Sequence, residues 1–133
     1  MPEVKVLDLV AASNSSGLLS AAQFPDQLPF LPERIFIVTG APAGAERGGH
    51  AHYECHQLLI VTAGIVIVDF DDSGGTFQVS LTGSTQALYI PPLVWAKQTY
   101  ATEGATLVVL ASHKYDQADY LDDRAEASRL RDV

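Results

Sequence analysis

Short stretches rich in Val, Ile, Leu, Phe and Tyr recur along the chain, separated by clusters of Gly, Pro, Asp and Ser. This composition favours β-strands, and strands spaced by roughly ten residues are typical of a sandwich or a barrel. The pattern predicts strands over residues 4–9, 34–39, 57–62, 64–70, 77–81, 87–90 and 105–111.

Two local signals refine this picture. The segment between Phe70 and Phe77 reads DDSGGT, and its two glycines favour a tight hairpin turn. Residues 122–132, DDRAEASRLRD, have acids at the start and arginines at the end, which suits the dipole of an α-helix. The pattern therefore predicts a mostly β protein with a single short helix at its C-terminal end.

Length and composition limit the possible classes. A chain of 133 residues fits one domain spanning residues 1–133. The only cysteine, Cys55, cannot form an internal disulfide, and the first residues lack a basic stretch followed by an apolar one, so we expect a cytoplasmic protein. Although 47% of the residues are hydrophobic, no apolar run approaches the ~20 residues of a membrane span, and we expect no membrane association.

The charge balance bears on possible partners. Eight Lys and Arg stand against 16 Asp and Glu, giving a net charge of -8. Nucleic-acid binding needs a basic surface, so we expect no nucleic-acid partner. The chain also lacks the glycine-rich phosphate loops of the common nucleotide-binding folds, so that any nucleotide would have to be held by side chains.

The densest group of chemically active side chains lies in residues 50–56, which hold three of the four histidines, Cys55 and Glu54. On a strand, His50 and His52 would project from the same face. If the strand continued to His56, then His50, His52, Glu54 and His56 would share that face and could bind a metal ion. A turn soon after His52 is the preferred alternative, and it would leave Glu54 and His56 at the rim, with Cys55 as an ordinary rim thiol.

The segment GAERGGHAHYECHQLLIVTAG (44–64) resembles the first signature motif of the cupin superfamily, and GSTQALYIPPLVWA (83–96) resembles part of the second. The resemblance implies an all-β fold, a small cupin or jelly-roll β-barrel. In metal-bearing cupins, four side chains from these motifs bind the metal. Here Gln57 stands at the acid position and Ala96 at the last histidine position, so the resemblance implies a pocket with no metal and no cofactor.

A narrower resemblance extends over most of the chain. The blocks that carry it are ERIFIV (33–38), RGGHAHYECHQLLIVTAG (47–64), ALYIPPLVWA (87–96) and LASHKYDQADYLDD (110–123). Together they resemble the sugar 3,4-ketoisomerases that act on dTDP-4-keto-6-deoxyglucose. This implies a cofactor-independent enzyme that moves a ketone from C4 to C3 of a dTDP-linked deoxysugar through an enediolate. Histidine, with an ordinary pKa near 6.5, suits such proton transfers at neutral pH.

By the same resemblance, His50 is the base that acts at carbon and His52 is its electrostatic or proton-relay partner. Arg47 would contact the diphosphate or the sugar oxygens, because a guanidinium can donate two hydrogen bonds at once. Trp95 would form an apolar wall of the pocket, and Gln57 would line it.

Three pocket positions depart from the family pattern. Phe36 stands where a tyrosine is common, Ser16 where a larger polar side chain is common, and Ala96 where a histidine or an arginine is usual. Because such residues decide which face of the sugar meets the base, the product configuration at C4 does not follow from the resemblance.

Two other functions remain open on the sequence. The changes at Phe36 and Ala96 are compatible with a catalytically weak protein that binds a nucleotide sugar, and the four-residue set ending at His56 would fit a metal-dependent cupin enzyme. The N-terminal strand VKVLDL would leave a long edge unpaired, and such edges are normally covered. We therefore expect a homodimer, and the resemblance implies that its N-terminal strands are exchanged between subunits.

Overall fold

The fold consists of two antiparallel β-sheets that face each other, with one helix at the C-terminal end. A computed structural model describes residues 3–132. The strands are β1 Lys5–Asp8, β2 Val10–Asn14, β3 Gly17–Ala21, β4 Arg34–Val38, β5 Ala45–His52, β6 Gln57–Ala63, β7 Ile65–Asp72, β8 Gly75–Thr82, β9 Gln86–Ile90, β10 Trp95–Tyr100, β11 Thr106–Ala111 and β12 Tyr120–Leu121. The helix, α1, is Arg124–Arg131, and a 3-10 turn, Gln117–Asp119, precedes β12.

Each large sheet has five strands. The first has the order β1-β9-β6-β11-β4, and the second has the order β12-β5-β10-β7-β8. The β2–β3 hairpin forms a separate two-stranded sheet. Apart from β7 and β8, neighbouring strands in the two large sheets are not consecutive in sequence, as in a jelly roll. The predicted all-β class with a jelly-roll architecture is confirmed.

The core lies between the two large sheets and follows from the alternation of side chains along each strand. In β11, for example, Leu107, Val109 and Ala111 are buried while the residues between them are partly exposed. Val66 and Val68 of β7 project into the same core from the opposite sheet. Each fully buried aliphatic side chain contributes about 1.5–3 kcal/mol, so this apolar contact accounts for most of the cohesion between the sheets.

All seven strands predicted from the sequence are present, with ends that differ by a few residues. The predicted hairpin is also present: Asp72 pairs with Gly75, leaving Ser73 and Gly74 as the turn. Five strands were missed, namely β2, β3, β5, β10 and β12. In β5 and β10 the reason is physical, because both strands line a polar cavity and so lack the apolar alternation that marks a strand over a hydrophobic core.

Helix α1 is shorter than the predicted span of residues 122–132. It begins after Asp123, whose carboxylate accepts a hydrogen bond from the backbone N–H of Glu126 at 3.1 Å. Such an N-cap stabilises a helix by about 1 kcal/mol. Ala127 and Leu130 pack against Ala51 on the outer face of the second sheet. Within residues 3–132, no helix has the length and apolar character needed to cross a membrane.

Candidate active site

A β-bulge in β5 sets the geometry of the site. Ala96 pairs with His50 and Lys97 pairs with Gly48, so Gly49 is an extra residue without a partner on β10. Gly48 and Gly49 have φ values of +82° and +79°, a region that favours glycine. A Cβ atom on Gly48 would lie 2.7 Å from Gln98 Oε1, which is too close. The extra residue brings Arg47 onto the same face as His50 despite their odd separation in sequence.

Arg47 and His50 line a cavity of about 130 Å³ between the two sheets, called here the inner cavity. Gln57 and Phe36 enter it from the first sheet, so four of the residues predicted for the site meet in one place. These residues belong to three strands, β4, β5 and β6, and the packing of the two sheets brings them together.

Three further polar side chains line the inner cavity and were not assigned a role from the sequence: Gln98, Tyr100 and Tyr120. Tyr120 lies within the block LASHKYDQADYLDD that carried part of the resemblance, so a signal was present, but nothing linked its ring to the histidines. Gln98 and Tyr100 could have been found only from the pairing of β10 with β5.

The two histidines and Tyr120 form a compact aromatic group. The ring centres of His50 and His52 are 5.1 Å apart, and the Tyr120 ring lies 4.6 Å from His50 and 4.5 Å from His52. His50 reaches the inner cavity, whereas His52 is only 6% exposed and lies outside its lining. Asp119 Oδ2 lies 3.3 Å from His52 Nδ1, although the two atoms are not aligned for a hydrogen bond.

Burial keeps both imidazoles neutral. It lowers the pKa of His50, an effect that the carboxylate of Asp122 partly opposes. Burial and the neighbouring His50 lower the pKa of His52 to about 4, against the opposing attraction of Asp119. At neutral pH each ring therefore has an unprotonated nitrogen, and His50 is the one that can accept a proton from a molecule in the inner cavity.

Tyr100 places a hydroxyl group at the inner cavity that has no hydrogen-bond partner within residues 3–132. Its side chain is fully buried, and burial raises its pKa, although the positive charge of Arg47 opposes this rise. Buried hydroxyl groups are normally hydrogen-bonded. A free hydroxyl facing a cavity is therefore available to a polar ligand.

Three predicted site residues lie elsewhere. Trp95 was expected to form an apolar wall of the pocket, but it faces the outside of the second sheet, where the Arg124 guanidinium lies 4.2 Å from its ring. Side chains alternate along a strand, so Ala96 takes the inward position next to it and packs in the core opposite His50. Ser16 is exposed in the turn of the β2–β3 hairpin, outside the lining of the inner cavity.

The segment after His52 bends instead of continuing as a strand. The hypothesis that Glu54 and His56 share a face with His50 and His52 is therefore wrong. Glu54 is exposed, and His56 Nδ1 instead lies 2.7 Å from the hydroxyl oxygen of Tyr89. Cys55, expected at the rim, is only 2% exposed.

A jelly-roll sandwich with a His-x-His pair beside an internal cavity defines a cupin-type protein. More specifically, residues 2–131 match the family described as "FdtA: WxcM-like, C-terminal", and the chain belongs to this family. The relationship that the sequence motifs predicted is thus confirmed.

Characterised relatives agree with this assignment. The chain is 29% identical over 119 residues to the TDP-4-oxo-6-deoxy-alpha-D-glucose-3,4-oxoisomerase of Aneurinibacillus thermoaerophilus, covering 90% of this chain and 86% of the relative. It is similar to the crystal structure of QdtA, a sugar 3,4-ketoisomerase from Thermoanaerobacterium thermosaccharolyticum in complex with TDP, with 29% identity, coverage of 97% and 94%, and a TM-score of 0.89. A 3,4-ketoisomerase from Helicobacter canadensis superposes over 100% of both chains with 28% identity and a TM-score of 0.90.

Proposed function

We propose that this protein is a sugar 3,4-ketoisomerase that moves the ketone of a dTDP-linked 4-keto-6-deoxyhexose from C4 to C3. The observation that carries the proposal is the neutral imidazole of His50 at the inner cavity, in a chain that belongs to the family of the 3,4-ketoisomerases. The relative from Aneurinibacillus thermoaerophilus is named for a substrate of this class, and QdtA is solved with TDP.

The reaction requires a proton to move between adjacent carbons. His50 takes the proton from C3, which is acidic because it is next to the C4 ketone, and the electrons of the broken bond form an enediolate across C3 and C4. His50 then returns a proton to C4. At the same time the hydroxyl proton on O3 is lost and O4 gains one, so that the ketone is now at C3 and no electron acceptor is needed.

The proton exchange at the sugar oxygens needs a second group. Phe36 has no hydroxyl, but Tyr100 and Tyr120 both line the inner cavity. Buried hydroxyl groups also stabilise the negative charge of an enediolate, because hydrogen bonds to charge are stronger in a site shielded from water. His52, edge-on to His50 and Tyr120, acts as their electrostatic or relay partner.

Substrate binding rests on Arg47 and Gln57, which donate hydrogen bonds to sugar or phosphate oxygens. The inner cavity, at about 130 Å³, is smaller than the roughly 300 Å³ or more of typical ligand sites. Its size suits the sugar ring, and the nucleotide would then lie outside the cavity entrance.

We expect the enzyme to be a homodimer in which the exposed β2–β3 hairpin contacts the partner subunit. Every residue of β2 is exposed, and the adjoining β3 exposes the apolar side chains of Leu18 and Leu19 at 50% and 60%. Apolar side chains on a projecting hairpin indicate that it packs against another surface. Strand β1 pairs with β9 of its own chain at the edge of the first sheet, and in a homodimer with exchanged N-terminal strands it would make this pairing with β9 of the partner subunit instead. Light scattering should report a dimer at micromolar concentration, and a monomer would contradict this part of the proposal.

The reaction as written uses no metal and no cofactor, and it fits a cytoplasmic enzyme whose substrate is a nucleotide sugar. Treatment of the purified enzyme with EDTA, followed by removal of the chelator, should leave turnover unchanged. Loss of activity that added divalent metal restores would contradict the cofactor-independent mechanism.

The decisive experiment is incubation with dTDP-4-keto-6-deoxyglucose in deuterium oxide, followed by nuclear magnetic resonance of the sugar. We expect the 3-keto product with deuterium at C4, and exchange at C3 in the remaining substrate. Binding of the compound with neither product nor exchange would favour the second candidate function, a nucleotide-sugar-binding protein. The observation that favours this second function is that Phe36 and Ala96 stand where the family pattern has polar side chains.

A further inference from the structure

A second group of reactive side chains lies behind the inner cavity. The ligand atoms of His52, Cys55 and Asp119 are all within 4.8 Å of one another, and no other set of His, Cys, Asp and Glu of this kind occurs within residues 3–132. The three residues come from the end of β5, the bend that follows it, and the 3-10 turn before β12. We propose that they form a binding site for Zn²⁺ through which zinc inhibits the enzyme.

The donor set has the chemistry that zinc prefers. Zinc binds thiolate, imidazole and carboxylate ligands in tetrahedral geometry, with bonds of about 2.0–2.3 Å, which places ligand atoms about 3.5 Å apart. The three side chains would have to move together by about 1 Å to reach this spacing. The thiolate and the carboxylate together neutralise the two positive charges of the ion, and the thiol proton leaves to solvent on binding.

The environment of His52 is the independent observation that points to a ligand. The residue is only 6% exposed, and neither of its ring nitrogens has a hydrogen-bond partner within residues 3–132. Buried polar atoms are normally paired, so two unpaired nitrogens on one buried ring are unusual. One of them, Nδ1, faces Asp119 Oδ2 at 3.3 Å.

The surroundings also hold the other two ligands in place. Asp119 accepts hydrogen bonds from the backbone N–H groups of Glu54 and Cys55 at 2.8 and 3.2 Å, which fixes its carboxylate beside the sulfur. The Ser112 hydroxyl lies 3.8 Å from Cys55 Sγ, where it can donate to a thiolate. Hydrogen bonds of this kind orient metal ligands and strengthen binding.

An ion can reach the site without passing through the inner cavity. Asp119, together with Tyr53 and Glu54, lines an open surface cavity of about 560 Å³, called here the outer cavity. The Asp119 side chain is 14% exposed, so water from the outer cavity can fill the fourth position of a tetrahedral ion.

The inhibitory role rests on the proposed isomerase function. His52 lies edge-on to His50 and Tyr120, and a zinc ion on its ring would stop the imidazole from taking up and releasing a proton, which the relay requires. Binding from the outer cavity would thus reduce turnover without blocking the entry of the sugar. The binding site itself requires only the three ligands and stands apart from the reaction.

Cobalt(II) is the spectroscopic probe, because its bond to a thiolate gives an intense charge-transfer band in the near ultraviolet. Titration of the full chain, purified with EDTA and then freed of it, should give this band with saturation at one equivalent, and zinc should remove it. Cys55→Ser should lack the band, and His52→Gln should bind cobalt at least tenfold more weakly. Glu54→Gln, which changes an exposed carboxylate beside the site, is the matched control and should bind as the wild type does. Absence of the band in the wild-type protein overturns the site.

A second experiment measures the turnover of the isomerase in the presence of saturating zinc. We expect at least tenfold inhibition of the wild-type enzyme and less than twofold inhibition of Cys55→Ser, whose circular dichroism should match the wild type. Zinc saturation without inhibition of the wild-type enzyme overturns the inhibitory role. A cobalt band in a protein without isomerase activity would instead mean that the proposed function fails while the site stands.

Discussion

Two groups of polar side chains lie on opposite faces of the second sheet, one around the buried Asp71 and Arg131 and the other around the buried Tyr100 and His52. They differ in how their hydrogen-bonding capacity is used. On the outer side, the Asp71 carboxylate accepts bonds from the Arg124 guanidinium, one of them at 2.7 Å, and from the Thr76 hydroxyl at 2.9 Å. On the inner side, the Tyr100 hydroxyl and both ring nitrogens of His52 have no partner within residues 3–132. Buried polar groups that are paired hold the fold together, whereas unpaired ones keep their capacity for a ligand.

The outer group fastens helix α1 to the second sheet. Besides the bonds from Arg124, the Arg131 side chain donates to the backbone carbonyls of Asp71 and Leu93 at 3.2 and 3.1 Å. Leu93 is the non-glycine residue with positive φ, +66°, in the described chain, and its N–H donates to the carbonyl of His52 at 2.8 Å. The helix thus supports the end of the strand that carries the histidines.

The largest expected effect is on the inner side. His50→Asn should lower kcat by about 100-fold or more, the range found when a general base is removed, because the proton at C3 then has no acceptor. Circular dichroism and nucleotide-sugar affinity should stay unchanged. His113→Asn alters an exposed histidine outside the inner cavity and is the control. A His50 variant that keeps a tenth of wild-type kcat would remove this residue from the chemistry.

Asp71→Asn tests the outer side. The variant loses its charge-assisted bonds with Arg124, whose side chain is 49% exposed, so we expect a loss of about 2 kcal/mol in the free energy of unfolding, measured by urea denaturation. Because α1 does not line the inner cavity, kcat should change less than about threefold, within the small range of effects that stay below 1 kcal/mol. A large loss of kcat with unchanged stability would mean that the outer group serves catalysis and does not stabilise the fold.

The pH dependence of the free energy of unfolding tests the same ion pair between Asp71 and Arg124. Hydrogen bonds from Arg124 hold the pKa of Asp71 below its ordinary value. A carboxyl group whose pKa falls on folding stabilises the protein above its unfolded pKa, near 3.9, and this contribution disappears as the pH falls through the folded pKa. The stability difference between the wild type and Asp71→Asn should therefore be present at pH 7 and shrink below about pH 4.

Arg47→Ala should act chiefly on binding. Its guanidinium contributes a charge-assisted contact that is present before the reaction starts, so KM should rise about tenfold, equivalent to about 1.4 kcal/mol, while kcat changes less. Steady-state kinetics separate the two parameters, and Lys97→Ala, which breaks a surface pair with Glu46, is the matched control. A fall in kcat larger than the rise in KM would place Arg47 in the proton transfer itself.

The smallest effect is expected at Phe36. Phe36→Tyr adds a hydroxyl to a cavity where Tyr100 and Tyr120 already supply two, so kcat should change less than about threefold, which is below 1 kcal/mol. A tenfold increase would mean that the absence of this hydroxyl limits the wild-type enzyme. Deuterium incorporation at C4 would show which step had become faster.

Much of the fold could be predicted because strands that cover the hydrophobic core show a regular alternation of apolar and polar residues in the sequence. The strand that carries Leu107 and Val109 and the hairpin at Ser73–Gly74 are visible in the sequence, since apolar alternation and turn-forming residues are local properties. The strand that carries Gln98 and Tyr100 was missed because its inward face lines a polar cavity. The polar side chains that this strand contributes to the inner cavity are the same ones that interrupt its hydrophobic pattern.

The sequence by itself determined the family, and it predicted His50, His52 and Arg47 as site residues, because these lie within a few residues of one another in a characteristic motif. Only the tertiary structure decided which face each side chain occupies. The Gly49 bulge turned Arg47 inward, and the alternation of β10 turned Trp95 outward. The contact between His52 and Asp119 joins residues 67 positions apart, on different elements, and side chains at that separation meet only through the packing of the whole fold.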